Sequence, residues 1–214
     1  MTVAAVVVAG GRGVRFGGLK QFASLSDESV ATKSVRHARA VAALVVLVVP
    51  EGYDGPGEGA DVVVIGGPTR AASVRAGLAH CGEASIIVVH DAARPLASPA
   101  LFRAVVAAVE AGADGAVPGL AVTDTVKRVV TVDETVVVRD TVSRDELVTV
   151  QTPQAFRHEV LVLAHAAARE ASDDAGLLEA LGARVVVVSG EVDNIKITQF
   201  GDLERVLALQ RRDV

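Results

Sequence analysis

Short valine-rich runs, separated by segments of helical period, constrain this chain more than any other feature. Runs at residues 3–8, 44–49, 62–65, 86–89, 115–117, 148–151 and 185–188 have the length and β-branched content of strands buried on both faces. Between them, 33–42, 72–80, 99–111, 158–168, 173–181 and 203–211 space their apolar residues along one helix face. Parallel strands need long crossovers, and this alternation supplies them. The expected fold class is α/β: a Rossmann-like, open, mainly parallel sheet with helices on both faces, in one domain spanning residues 1–214. Ligands of such sheets bind beyond the carboxyl ends of the strands. The glycine-rich and charged phrases of this chain fall at those ends.

The first strand runs straight into Ala9-Gly10-Gly11-Arg12-Gly13-Val14-Arg15-Phe16-Gly17-Gly18-Leu19-Lys20. Glycines let backbone N–H groups approach a ligand closely, and a loop of this kind with nearby cations suits phosphate. It is neither of two familiar phosphate loops. Gly13 to Gly18 is followed by Leu19-Lys20-Gln21 where a Walker A loop requires Lys and then Ser or Thr, and Phe16 replaces the third glycine of a dinucleotide fingerprint. Lysine usage marks Lys20 further. The chain has 17 arginines and four lysines, Lys20, Lys33, Lys127 and Lys196, and a lysine kept among so many arginines offers a compact point charge. Lys20, Lys196 and Arg15 are the leading cations; Lys33 reads as a solvated helix charge.

Composition removes several classes. A net charge of −5 argues against a general nucleic-acid binder, which would present a basic face. The longest apolar stretch, about residues 40–49, is too short to span a bilayer. The first strand begins almost at Met1, so no signal peptide is expected, and a single cysteine, Cys81, excludes an internal disulfide framework; the expected location is cytoplasmic. Cys81 reads as an inert helix residue.

One segment departs from the alternation. Residues 125–141 read as two valine-rich strands around Asp133-Glu134, an inserted β-hairpin arm within 122–144. An isolated hairpin is marginal in water and exposes its valines, so it needs a covering surface, its own core or a second subunit.

Six phrases stand in order: the glycine loop, Gly66-Gly67-Pro68-Thr69-Arg70-Ala71-Ala72-Ser73-Val74, Val89-His90-Asp91-Ala92-Ala93-Arg94-Pro95, Asp124-Thr125-Val126-Lys127-Arg128, Thr152-Pro153-Gln154 and Asp193-Asn194-Ile195-Lys196-Ile197-Thr198. Together they resemble the 2-C-methyl-D-erythritol 4-phosphate cytidylyltransferase family, of sugar-phosphate nucleotidyltransferase fold, from about residue 6 to 203. The resemblance implies transfer of a cytidylyl group from CTP to the sugar-alcohol phosphate, with release of pyrophosphate, in the non-mevalonate isoprenoid pathway. It implies that Arg15 and Lys20 hold the triphosphate and that Lys196 stabilises the α-phosphoryl transition state. CTP contacts fall on Ala9, Gly10, Gly11, Gly13, Gly67 and Ser73. Substrate contacts fall on Asp91, Arg94, Thr125, Arg144, Thr152 and Ser172. Mg²⁺ is expected mainly on the CTP phosphates, with Asp91 as a further contact left open. The arm at 122–144 is expected to clasp a twin subunit, giving a homodimer, and no nucleic acid or membrane partner is expected.

Three local readings stay open at this stage. Ser73 could instead serve the start of its helix, Asp91 could cap the next helix, and Ser172 could cap the one near Asp173. His90 reads as a packed histidine rather than a base, Arg70 as a residue that shapes its loop, and Arg128 and Arg139 as solvent-facing. The sequence departs from the family at Pro68, where many relatives carry an acidic residue, at Ser172 in place of threonine, and in the short Arg15–Lys20 spacing. Two alternative functions remain: ribitol-5-phosphate cytidylyltransferase and a nucleotide-binding regulator without turnover.

Overall fold

The computed structural model describes residues 1–11, 16–166 and 171–211. In chain order its elements are β1 (Val3–Val8), β2 (Ser24–Leu25), β3 (Glu28–Ser29), α1 (Val30–Ala38), β4 (Leu44–Val49), β5 (Val62–Ile65), α2 (Arg70–Leu78), β6 (Ile86–Asp91), α3 (Pro99–Glu110), β7 (Gly115–Ala121), β8 (Val126–Val132), β9 (Thr135–Val142), β10 (Val148–Val150), β11 (Gln154–Arg157), α4 (His158–Ala166), α5 (Asp174–Glu179), β12 (Val185–Ser189) and α6 (Phe200–Gln210). Helix starts follow side-chain caps. Ser29 accepts from the Thr32 amide, Thr69 from Ala72 and Ser98 from Leu101. Those caps begin α1 and α2 a few residues earlier than hydrophobic period suggests, because each hydroxyl satisfies an orphan N–H of the first turn.

The central sheet runs β5-β4-β1-β6-β11-β7, with β12 on the far edge of β7 and β10 continuing the line of β11. β5, β4, β1 and β6 are parallel to their neighbours, and β7 and β12 run the same way; β10 and β11 are reversed. β12 pairs along 115–119 of β7, so β10 (opposite Gly119 to Ala121) and β11 (opposite Gly115 and Ala116) share the other edge. Their registers differ by two residues, and the chain between them, through Gln151, Thr152 and Pro153, leaves the ladder at the carboxyl end of β6. The mainly parallel α/β fold expected from the alternation is what forms, with β11 as an unanticipated reversed strand in its middle.

Alternate residues of each strand feed two cores, as the two-residue period of a strand requires. Val3, Ala5 and Val7 pack with Val45, Leu47 and Val88 under α1 and α3. Ala4, Val6, Val46, Val48, Ile87 and Val89 pack under α2, α4 and α5. α2 lies unusually close. A Cβ at Gly77 would stand 2.5 Å from Val6 Cγ1 and 3.0 Å from Val48 Cγ2, so only glycine admits this approach of helix backbone to sheet. A third, smaller core joins Leu203 and Val206 of α6 to Leu25, Val30 and Ile197. It docks α6 and the β2–β3 hairpin beside the start of α1.

β8 and β9 form their own two-stranded sheet, inserted between β7 and β10. Asp133 (φ 46°) and Glu134 (φ 64°) make its turn, both in the left-handed region that two-residue hairpins require. Most of its valines face outward; Val136 is 67% exposed and Val138 57%. Arg128 and Arg139 are exposed, as expected, and each lies beside Asp140. Cys81 follows α2 rather than lying in it. It is buried, its thiol donates to the Gly77 carbonyl at 3.5 Å, and burial pushes its pKa up to about 12, which leaves it inert at neutral pH.

Candidate active site

The site is assembled at the carboxyl ends of β1, β5 and β6. Beyond β1, Ala9 donates its amide to the Val48 carbonyl at 2.7 Å, and Gln21, one residue past Lys20, reaches back with Nε2 to the carbonyls of Ala9 at 2.6 Å and Gly11 at 2.9 Å. The single-turn helix Lys20–Phe22 is thereby tied through Gln21 to the start of the glycine loop. Gly13 and Arg15 lie outside the described residues.

Beside this loop stands the turn after β5. Thr69 caps α2, and Ser73 lies inside the helix, 3% exposed, so the reading of Ser73 as a cap is set aside. Its hydroxyl donates to the Thr69 carbonyl at 2.9 Å and lies 3.3 Å from that of Gly67. A Cβ on Gly66 would come within 2.7 Å of Ser73 Oγ, and one on Gly10 within 3.3 Å. Gly10, Gly66, Gly67 and Ser73 thus converge into one glycine-walled cradle. The sequence positions are far apart; parallel strands bring their ends together.

The charged half of the site centres on Asp91, the last residue of β6. It caps no helix: Ser98 caps α3, and the Asp91 amide donates to Thr152 Oγ1 at 3.0 Å. Its Oδ2 receives Lys196 Nζ at 2.6 Å, and its Oδ1 receives Arg70 Nε at 3.1 Å. Burial opposes ionisation of this carboxyl, but Arg70 and Lys196 outweigh it and hold the group well below the usual carboxylate range. Lys196 is not on a strand. Its loop is stapled in place: Asn194 Nδ2 donates to the Thr152 carbonyl at 2.9 Å, Arg94 Nη1 donates to the Asn194 carbonyl at 2.7 Å, and the Ile197 amide donates to the Ala93 carbonyl at 2.8 Å. Gln151 adds Nε2 to the Glu191 carbonyl at 2.8 Å. Arg94 therefore spends one donor on the loop that carries Lys196, while its Nε is buried without a partner among the described atoms.

His90 is fully buried against Phe102, with ring centroids 4.9 Å apart. Its Nδ1 lies 3.2 Å from Thr152 Oγ1 and its Nε2 3.2 Å from the Arg94 carbonyl. Desolvation drives its pKa down to about 3, so it stays neutral and serves as packing and a hydrogen-bond bridge, as its sequence context suggested.

Sequence reading missed the partners of Asp91. Arg70, expected only to shape its loop, also gives Nη1 to Asp174 Oδ2 at 2.8 Å, and Asp174 Oδ1 lies 2.9 Å from His165 Nε2. Asp174 is 1% exposed, and removing one partner of a buried ion pair costs about 3–5 kcal/mol. The only signal was the Asp173-Asp174 doublet at a helix start. Asp173, not Ser172, caps α5, accepting from the Gly176 amide at 3.1 Å and from Gln154 Nε2 at 2.9 Å. Ser172 stands exposed just ahead of it. Thr125 and Arg144 lie at the root of the arm: Thr125 precedes β8, and Arg144 donates to the Thr123 carbonyl. Lys33 lies half-buried in α1, the helix expected for it.

A glycine-walled loop, a hydroxyl-bearing helix start and a cation-flanked carboxylate suit a reaction between two anions more than one needing a general base. The family model for 2-C-methyl-D-erythritol 4-phosphate cytidylyltransferase matches residues 3–212. A protein of that name from Rhodococcus jostii is 44% identical over 97% of this chain and 94% of its own length. A bifunctional IspD/IspF enzyme from an Anaeromyxobacter species is 43% identical over 97% of this chain, which spans only 57% of that relative. The crystal structure of the Thermus thermophilus cytidylyltransferase superposes with a TM-score of 0.83 at 36% identity, covering 99% of this chain and 100% of the other. The chain belongs to the 2-C-methyl-D-erythritol 4-phosphate cytidylyltransferase family.

Proposed function

We propose that this chain transfers a cytidylyl group from CTP to 2-C-methyl-D-erythritol 4-phosphate, releasing pyrophosphate and forming 4-diphosphocytidyl-2-C-methyl-D-erythritol, in the cytoplasm and within the non-mevalonate isoprenoid pathway. The acceptor phosphate, whose second pKa is about 6, is already an ionised nucleophile at neutral pH. It attacks the α-phosphorus in line, so the protein must bring two anions together and absorb the developing charge. The observation that carries this reading is the Asp91–Lys196 pair standing beside the Gly10, Gly66 and Ser73 cradle. His90, neutral and with both ring nitrogens engaged, is no base, and this chemistry needs none.

The residues divide the work by type. Backbone N–H groups of Gly10, Gly11 and Gly13, with Arg15 and Lys20, hold the triphosphate; Ala9, whose amide is spent on the Val48 carbonyl, sets the start of that loop instead. Ser73 donates its hydroxyl hydrogen to backbone and keeps lone pairs for the amino group of cytosine, with the Gly67 backbone beside it. Asp91, held ionised, accepts from hydroxyls of the polyol. Lys196, whose side chain is 41% exposed, can move from Asp91 to the α-phosphate as charge builds there. Arg94, Thr152 and Ser172 line the acceptor side, and Thr125 and Arg144 complete it from the arm of a second subunit. That homodimer also covers the exposed arm valines. The whole acts as one nucleotidyltransferase domain, residues 1–214, with 122–144 as its arm.

A divalent ion fits this donor set in one way. Among the described residues no three carboxylate, histidine or cysteine groups converge, and both Asp91 oxygens carry cations, so Mg²⁺ would sit mainly on triphosphate oxygens and would meet Asp91 only through the oxygen that Lys196 releases. When bound it neutralises phosphate charge; the chain's own cations do the rest.

The test is pyrophosphate release with CTP and Mg²⁺, comparing 2-C-methyl-D-erythritol 4-phosphate with ribitol 5-phosphate. Release with the first alone is expected. Release with the second instead would move the chain to polyol-phosphate metabolism, and silence with both, despite CTP binding, would leave a nucleotide-binding regulator.

A further inference from the structure

Arg70 stands where helix electrostatics disfavour it. It is the first residue of α2, at the positive end of the helix dipole. Two carboxylates from other elements offset that placement: Asp91 of β6 takes Nε at 3.1 Å, and Asp174 of α5 takes Nη1 at 2.8 Å. The arrangement uses the fork of a guanidinium, which can grip two carboxylates at once where an ammonium presents one point charge. Asp174 is itself held from its other oxygen by His165 at 2.9 Å. The cost is visible in Arg70 Nη2, buried without a partner among the described atoms.

We infer that Arg70, braced by Asp174, is a positioning residue for acceptor recognition: it fixes the Asp91 carboxylate so that its second oxygen is presented to Lys196 and to the polyol. The inference rests on the proposed transferase reading. With Oδ1 tied to Arg70, rotation of the carboxylate is restrained and Oδ2 is left to Lys196, whose side chain is partly exposed. When Lys196 turns to the phosphates, Asp91 is not left as a lone buried charge, because Arg70 remains. Burial works against the charge on Arg70, and the two carboxylates more than restore it. Ser73 follows on the same helix three residues later, so Arg70 also joins the nucleotide-side helix to the acceptor-side strand. These two roles separate in kinetics. A residue that merely shapes α2 would disturb Ser73 and hence CTP; a residue that positions Asp91 would disturb the acceptor.

The experiment compares steady-state kinetics of the wild type, Arg70→Ala, Arg70→Lys and Asp174→Asn, with each substrate varied in turn. The acceptor KM is expected to rise roughly tenfold or more in Arg70→Ala while the CTP KM stays within about twofold. Arg70→Lys should recover part of the loss by restoring the charge, and Asp174→Asn should raise the acceptor KM more weakly. Should Arg70→Ala fail to fold, the Arg70→Lys and Asp174→Asn variants carry the same comparison. An unchanged acceptor KM, or a CTP KM that rises as much as the acceptor KM, overturns the inference while an active wild type keeps the functional reading. A wild type silent with this acceptor overturns that reading and the inference with it.

Discussion

His90 and Asp91 are neighbours on one strand, yet the fold drives them to opposite charge states. Strand alternation sends His90 toward Phe102 and the α3 side, where burial outweighs the pull of the neighbouring Asp91 charge, while the Asp91 side chain meets Arg70 and Lys196. Two expectations about acid follow from these directions. His90 is neutral when folded, with a pKa near 3 against 6.5 when unfolded. The unfolded chain therefore takes up a proton first, and His90 subtracts stability as pH falls from 6.5 toward 3. Replacing it by glutamine should flatten the fall by up to about one proton, or about 1.4 kcal/mol per pH unit, in denaturant titrations across that window. An unaltered slope would mean that the ring is charged in the native state. Asp91 is depressed too, but there the fold favours the charged form, so its contribution is present above about pH 4 and is lost only as pH drops through its lower folded value. Of these residues, Asp91 stood out as a carboxylate ending an apolar strand, Lys196 as one of only four lysines and Ser73 as a hydroxyl shortly after the Gly66-Gly67 turn. Arg70 and Asp174 were not: 104 positions separate them, and no periodicity links a helix start to a carboxylate so distant.

At the level of elements, strands came through wherever valine repeats were long. β11 did not, because Gln154-Ala155-Phe156-Arg157 lacks β-branched residues and follows a proline; what makes it a strand is its pairing with β6 and β7. The same limit explains β2 and β3, two residues each. The arm was legible down to its turn, since Asp133-Glu134 interrupts two valine runs. Its turn offers a direct check. Both turn residues hold positive φ, which Asp133 tolerates and the Glu134 side chain disfavours, so Asp133→Asn with Glu134→Gly should stabilise the hairpin by about 0.5–1 kcal/mol. Amide exchange in β8 and β9 measures this; faster exchange in the double variant would show that the native side chains hold the turn.

For the molecule as a whole, the question is whether the arm completes a neighbour's site. Arg144→Ala and Lys20→Ala subunits, each inactive alone, should regain activity when mixed, because one site per mixed dimer then holds both native residues. With random pairing, about a quarter of wild-type activity is expected. No recovery in confirmed mixed dimers would place Arg144 with its own subunit or outside the site. The chain's sequence determined the layered α/β fold, since alternating buried strands and amphipathic crossovers leave few other packings. It also determined the chemical inventory: a glycine loop, scarce lysines, one carboxylate at a strand end. Tertiary structure alone decided which of these meet. The reversed β11, the stapling of the Lys196 loop by Asn194 and Arg94, and the grip of Arg70 on Asp91 and Asp174 all join residues far apart in the chain. Such contacts are stabilised by desolvation and geometry that exist only once the sheet has formed, and no local pattern encodes them.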